Sequence, residues 1–92
     1  MKKKIVILGS TGSIGCTLLN IIKKDKEKFK IEILTANKNY KRLIKQINVF
    51  NVKNVIVTDK NSFYITQKIL KNKDINIYNN FNSIDKIFNK KK

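Results

Sequence analysis

The sequence has no histidine, proline or tryptophan and a single cysteine, Cys16. Without a second cysteine no internal disulfide forms, and without histidine or another thiol Cys16 has no partner for a metal. It therefore reads as a packing residue in a reducing, cytoplasmic setting. No apolar run approaches the roughly 18 residues of a membrane span, and strand-like sequence begins at residue 4, so neither a membrane segment nor a signal or transit peptide is expected. Acidic residues are also scarce, with six Asp and Glu against 21 Lys and Arg, a formal charge of +15. Such an excess raises the question of nucleic acid or an anionic membrane. The lysines, however, are scattered over every polar face and run through "KKDKEKFK" and the terminal "NKKK". The few aromatics do not interleave with them as stacking platforms would. The charge reads as solvated surface, with a nucleic-acid patch as the weaker alternative.

What is present is a regular alternation of patterns within 92 residues, room for one small domain that buries roughly 60–65% of its unfolded surface. Residues 4 to 8, "KIVIL", are apolar on both faces, which suits a strand in a covered parallel sheet. Ile14, Leu18, Ile21 and Ile22 then fall on one stripe of a helix reaching about Lys24. "KIEILT" (30 to 35) is a second strand, and Tyr40, Leu43, Ile44, Ile47 and Phe50 mark a second helix. "NVIVT" (54 to 58) is a third strand, followed by a helix with Ile65, Ile69 and Leu70 whose start is signalled by Asp59, Asn61 and Ser62. A short strand "INIY" (75 to 78) and a last helical piece with Ile84, Ile87 and Phe88 complete the series. The prediction is an α/β fold, a Rossmann-like parallel sheet of four strands alternating with helices in the order 4-3-2-1. "INIY" is placed at one edge and the other side of the first strand is open, an incomplete dinucleotide-binding arrangement.

The first strand runs into "GSTGSIG", residues 9 to 15. Gly9 suits the tight turn, Gly12 lets the main chain approach a ligand, and Gly15 lets the new helix pack against the strand. The N–H groups of the first helical turn, with the helix dipole behind them, favour a phosphate, and the Thr11 and Ser13 hydroxyls can add donors. The Gly-Lys-Ser/Thr ending of a nucleoside-triphosphate loop is missing, which disfavours a kinase or ATPase. At the end of the second strand an Asp or Glu would select the 2′-hydroxyl of NAD, whereas a cation accommodates a 2′-phosphate. The residues there are Asn37, Lys38 and Asn39, while Glu32 lies inside the strand. Asp59, Asp74 and Asp85 lie at turns or helix starts, where capping explains them better than metal binding.

"ILGSTGSIGC", followed by "ILTANKN" and "NVIVTD", resembles the amino-terminal NADPH-binding domain of the 1-deoxy-D-xylulose 5-phosphate reductoisomerase family. The resemblance implies that Thr11, Gly12, Ser13 and Ile14 line the pyrophosphate and adenosine end of NADPH, between Gly9 and Gly15. It also implies that Asn37, Lys38 and Asn39 surround the 2′-phosphate. Asn37 stands where that family usually has glycine; Asn tolerates positive φ, so the turn survives with a tighter approach to the ribose. The family converts 1-deoxy-D-xylulose 5-phosphate to 2-C-methyl-D-erythritol 4-phosphate in non-mevalonate isoprenoid synthesis. It does so as a homodimer, with NADPH and a Mg²⁺ or Mn²⁺ ion held by a later domain. The catalytic residues and metal ligands of that later domain are missing from residues 1–92, so the chain is expected to be a truncated NADPH-binding unit with a lysine-rich tail (89 to 92), inactive alone. A self-sufficient NADP(H)-sensing module and a basic nucleic-acid-binding protein are the alternatives.

Overall fold

The computed structural model describes residues 2–82 and 84. In chain order the elements are β1 (Lys3–Ile7), α1 (Ser13–Lys23), β2 (Phe29–Ala36), α2 (Tyr40–Phe50), β3 (Asn54–Val57), α3 (Lys60–Ile69) and β4 (Asn76–Tyr78). The strands form one sheet in the order β1-β2-β3-β4, and every pairing is parallel. This is the expected α/β alternation and strand order. Each strand steps in the same direction across the sheet, so crossovers of one hand place every connecting helix on the same face. One core cluster accordingly joins Leu19 and Ile22 of α1, Leu43 and Ile47 of α2 and Leu70 after α3 to Ile7, Leu34, Val55 and Val57 of the sheet. Among the described residues the other face holds a smaller cluster, Ile33 and Ile56 with Val6, Tyr78 and Ile84. Ile84 is helical, and the rest of the last helical piece, with Asp85, Ile87 and Phe88, lies outside the described residues.

The register explains how β2 serves both clusters. Ile5 pairs with Ile31 but Val6 with Ile33, leaving Glu32 as an extra residue in a bulge. The bulge lets Ile31, Leu34 and Ala36 share the helix-facing core although their spacing breaks strict alternation. Glu32 is buried within the strand, its carboxylate 3.8 Å from Lys30 Nζ.

Three expectations are corrected. The first strand ends at Ile7, and Leu8 stands 62% exposed in the following turn, because β1 is an edge and lacks cover on its outer side. In α1 the buried residues are Gly15, Leu19 and Ile22, while Ile14 (79%), Leu18 (45%) and Ile21 (60%) face outward. The helix carries two apolar stripes about 100° apart, and steric fit at Gly15 chooses between them. A Cβ at Gly15 would lie 2.4 Å from the Gly9 carbonyl oxygen, so the side-chain-free face is the one that packs against the loop. In α3, Ser62 and Thr66 are buried while Ile65 and Ile69 are exposed. Both hydroxyls are satisfied: Thr66 Oγ1 donates to the Ser62 carbonyl (2.7 Å), and Ser62 Oγ contacts Asp59 Oδ2 (2.8 Å) and the Lys38 carbonyl (3.3 Å). Small bonded hydroxyls allow the helix to approach the sheet closely at little desolvation cost.

Candidate dinucleotide site

Parallel strands bring their carboxyl ends to one edge, and the two segments singled out in the sequence meet there. Gly9 takes φ +67°, a left-handed conformation that favours glycine, and closes a turn in which the Gly12 N–H donates to the Gly9 carbonyl at 3.1 Å. Gly12 is extended (φ −79°, ψ 176°) and caps α1 with no side-chain hydrogen bond, and the first turn of α1 holds no acidic residue. Its N–H groups are thus left to an outside acceptor, with the positive end of the dipole behind them. Gly12, Ser13 and Ile14 are exposed, Thr11 is half-buried, and Gly15 is buried as the contact between helix and loop.

The turn is tied to the end of β2. The Gly9 N–H donates to Thr35 Oγ1 (2.7 Å) and the Ser10 N–H to the Thr35 carbonyl (2.8 Å). Two residues on, Asn37, Lys38 and Asn39 are all exposed beside the glycine turn. Asn51 is the described non-glycine residue with positive φ, so Asn37 adopts a conformation open to any residue and needs no glycine. Asn39 caps α2, its Oδ1 accepting from the Arg42 N–H at 3.2 Å. The next strand end joins the same cluster, since the Asp59 N–H donates to the Asn37 carbonyl at 3.3 Å. The N–H and hydroxyl of Ser62 hold the Asp59 carboxyl below the usual carboxylate range, and the charge of Lys38 adds to the effect.

Four residues at this site escaped sequence reasoning: Ser10, Thr35, Arg42 and Gln46. Arg42 is the one arginine in a lysine-rich chain, and its Nη1 lies 3.4 Å from the Thr11 carbonyl and 3.6 Å from Cys16 Sγ. It therefore links the 37 to 39 turn to the glycine turn. Gln46 was visible as a polar residue on the apolar stripe of α2. Cys16 is partly buried, its thiol 3.6 Å from the carbonyls of Ser10 and Thr11, as a packing residue should be.

Lys38, Lys41 and Arg42 crowd the amino end of α2, where the helix dipole disfavours cations. A bound anion would offset that repulsion. Among the described residues no group of three His, Cys, Asp or Glu side chains stands together, and no helix is long and apolar enough to cross a membrane. The larger cavities lie away from the turn. One of about 310 Å³ sits at the opposite strand ends around Phe29 and Phe50, and one of about 340 Å³ runs along the β1 edge beside Leu18 and Ile21.

The family model for 1-deoxy-D-xylulose 5-phosphate reductoisomerase matches residues 5–92. The reductoisomerase of Pelagibacter ubique (strain HTCC1062) is 68% identical over 87 residues, covering 95% of this chain and 22% of the relative. That of Buchnera aphidicola subsp. Acyrthosiphon pisum (strain Tuc7) is 46% identical over 74 residues, 80% of this chain and 19% of the relative. A solved structure, the Zymomonas mobilis reductoisomerase in complex with NADPH, superposes with a TM-score of 0.83 at 23% identity, covering 95% of this chain and 23% of that one. At that identity the likeness concerns the fold. This chain spans about a fifth of the length of the curated relatives it matches. The glycine turn, the lysine turn beside it and the order of the strands all fall within the matched span, and the chain belongs to the 1-deoxy-D-xylulose 5-phosphate reductoisomerase family.

Proposed function

We propose that residues 1–92 are the NADPH-binding part of a 1-deoxy-D-xylulose 5-phosphate reductoisomerase, a cytoplasmic NADPH-dependent enzyme that forms 2-C-methyl-D-erythritol 4-phosphate. The observation that carries this reading is the meeting of an uncapped helix amino terminus at Gly12 with the cationic turn at Lys38, on adjacent parallel strands. The N–H groups of Thr11, Ser13 and Ile14 receive the pyrophosphate, Gly12 lets it approach the main chain, and Gly9 and Gly15 shape the turn. Asn37, Lys38 and Asn39 receive the 2′-phosphate, and Arg42 adds positive charge between the two segments. When bound, NADPH supplies the hydride. The chain's own residues hold the adenosine half and leave the chemistry, the sugar phosphate and the Mg²⁺ or Mn²⁺ ion to residues beyond this span; the homodimer of the family belongs to the same proposal.

Two other readings are weaker. A self-sufficient NADP(H) sensor would not expose Leu8, Ile14, Leu18 and Ile21 together along one flank. A nucleic-acid binder would concentrate its charge, and the lysines here are scattered along the whole sequence.

The test is nucleotide preference at about 0.15 M salt, where diffuse attraction to a +15 chain is partly screened. NADPH should bind more tightly than NADH, and Lys38→Ala should shrink the difference by about 1–2 kcal/mol, the loss of a charge-assisted hydrogen bond. Lys71→Ala, an exposed lysine beyond α3, should not change it. Equal losses from both variants would mean that the preference comes from the overall field, and the assignment of 37 to 39 would be withdrawn.

A further inference from the structure

Beneath the glycine turn lies a buried polar contact that fold and composition do not require. Gln46 is a buried residue of α2, 9% exposed, on the face that also buries Leu43 and Ile47. Its Nε2 donates to the Ser10 carbonyl at 2.8 Å, and its Oε1 accepts the Ser10 hydroxyl at 2.8 Å. A carbonyl can only accept, so the amide orientation is dictated by the pair. Ser10 itself is fully buried, and its hydroxyl also lies 3.2 Å from the Thr35 carbonyl.

The two halves of this contact differ in what replaces them. Without Gln46 the hydroxyl still has the Thr35 carbonyl, whereas the Ser10 carbonyl retains only the weak thiol donor of Cys16 at 3.6 Å. The loss therefore falls on the orientation of the peptide joining Ser10 to Thr11. That peptide is trans and planar. Its carbonyl points inward to Gln46, so the Thr11 N–H points the opposite way, out of the core and toward the side where Gly12 and Ser13 are exposed. A leucine would fill the same space on an apolar stripe without the desolvation cost of an amide.

We propose that Gln46 is a positioning residue that holds the Ser10–Thr11 peptide with the Thr11 N–H facing the pyrophosphate of the dinucleotide. This rests on the NADPH reading above. It predicts that Gln46 governs affinity for the pyrophosphate and leaves recognition of the 2′-phosphate at 37 to 39 untouched.

The experiment compares the 92-residue chain with Gln46→Met, which conserves volume and removes the donor, and with Leu43→Ala, which destabilises the same helix face. Each is titrated at low temperature with NADPH and with 2′-phosphoadenosine, which carries the 2′-phosphate and no pyrophosphate. Gln46→Met should weaken NADPH about tenfold and leave 2′-phosphoadenosine within about twofold, while Leu43→Ala lowers the melting temperature and changes neither affinity. The amide resonance of Thr11 in the ligand-free chain should move in Gln46→Met and stay in place in Leu43→Ala. Unchanged NADPH affinity, equal loss for both probes, or an unmoved Thr11 amide would overturn the proposal. A wild-type chain that bound neither probe would sink the cofactor reading instead, and the Thr11 resonance would then decide the positioning role by itself. Should Gln46→Met fail to fold, Gln46→Leu, which also removes the donor, takes its place.

Discussion

Replacing Gly15 by alanine tests the contact that orients α1. The new Cβ would meet the Gly9 carbonyl oxygen at 2.4 Å, Ser10 Cα at 2.6 Å and the Ser10 carbonyl carbon at 2.9 Å. The first of these is about 1 Å inside an ordinary van der Waals contact, and all three partners are backbone atoms of a turn bound to Thr35. They cannot rotate away as a side-chain tip would. Overpacking of this kind costs about 1–3 kcal/mol, and the rigid partners place Gly15 at the upper end. Alanine recovers about 1 kcal/mol through its better helix propensity, leaving a net loss of about 2 kcal/mol. Against a total of roughly 5–14 kcal/mol for a chain of this length, the melting temperature should fall by about 8–16 °C. Gly12→Ala is the control, because its Cβ meets nothing closer than the Gly9 carbonyl oxygen at 3.5 Å. It should cost less than about 1 kcal/mol, the difference between glycine and alanine at a helix cap. Thermal unfolding followed by circular dichroism reads both. Equal melting temperatures for Gly15→Ala and wild type would refute the packing argument.

The two apolar stripes of α1 should separate in urea unfolding, where Leu19→Ala costs about 2–5 kcal/mol and Ile21→Ala about 0.5 kcal/mol or less; similar losses would mean that the buried face is misassigned. Asp59 titrates below the ordinary carboxylate range because Ser62 bonds its charged form. Its folded pKa is depressed, so its contribution is present above the unfolded value and lost as pH falls through the folded one. The urea midpoint of wild type should therefore drop more between pH 5 and pH 2 than that of Asp59→Asn, which keeps a cap and cannot titrate; parallel pH profiles would count against the cap. The 92-residue chain should show no metal-dependent turnover of 1-deoxy-D-xylulose 5-phosphate with NADPH and Mn²⁺, since no described cluster of side chains offers the Lewis acid a site. A rate that survives repurification would defeat this.

Much of the fold was legible because it is written in local periodicity. Alternating apolar runs of period two and 3.6, separated by Gly9, Asn39 and Asp59, place the strands and helices within a residue or two of their observed ends. "INIY" was placed at one edge with the first strand open on its other side, and both are edges of the observed sheet. The sharp turn at Gly9 and the close contact at Gly15 also followed from glycine spacing, since those positions admit little else. The turns at 9 to 15 and 37 to 39 could be named as candidates because the end of each parallel strand must fall on one edge of the sheet.

Other features depend on partners far apart in the chain. Which of two apolar stripes of α1 faces inward was decided by the fit of Gly15 against the Gly9 turn, and periodicity is the same for both. In α3 the buried positions went to Ser62 and Thr66 rather than Ile65 and Ile69, because local hydroxyl bonds removed the cost of burying them. The bulge at Glu32 follows from pairing with β1 and has no signature in β2 alone. The link from Gln46 to Ser10 spans 36 residues of sequence and exists only once α2 lies against the glycine turn. Sequence by itself determined the elements, their order and the glycine turn, which depend on each residue's own backbone preferences and its near neighbours. Tertiary structure alone decided which faces are buried and which side chains brace the loop, because those outcomes depend on contacts that no local pattern encodes.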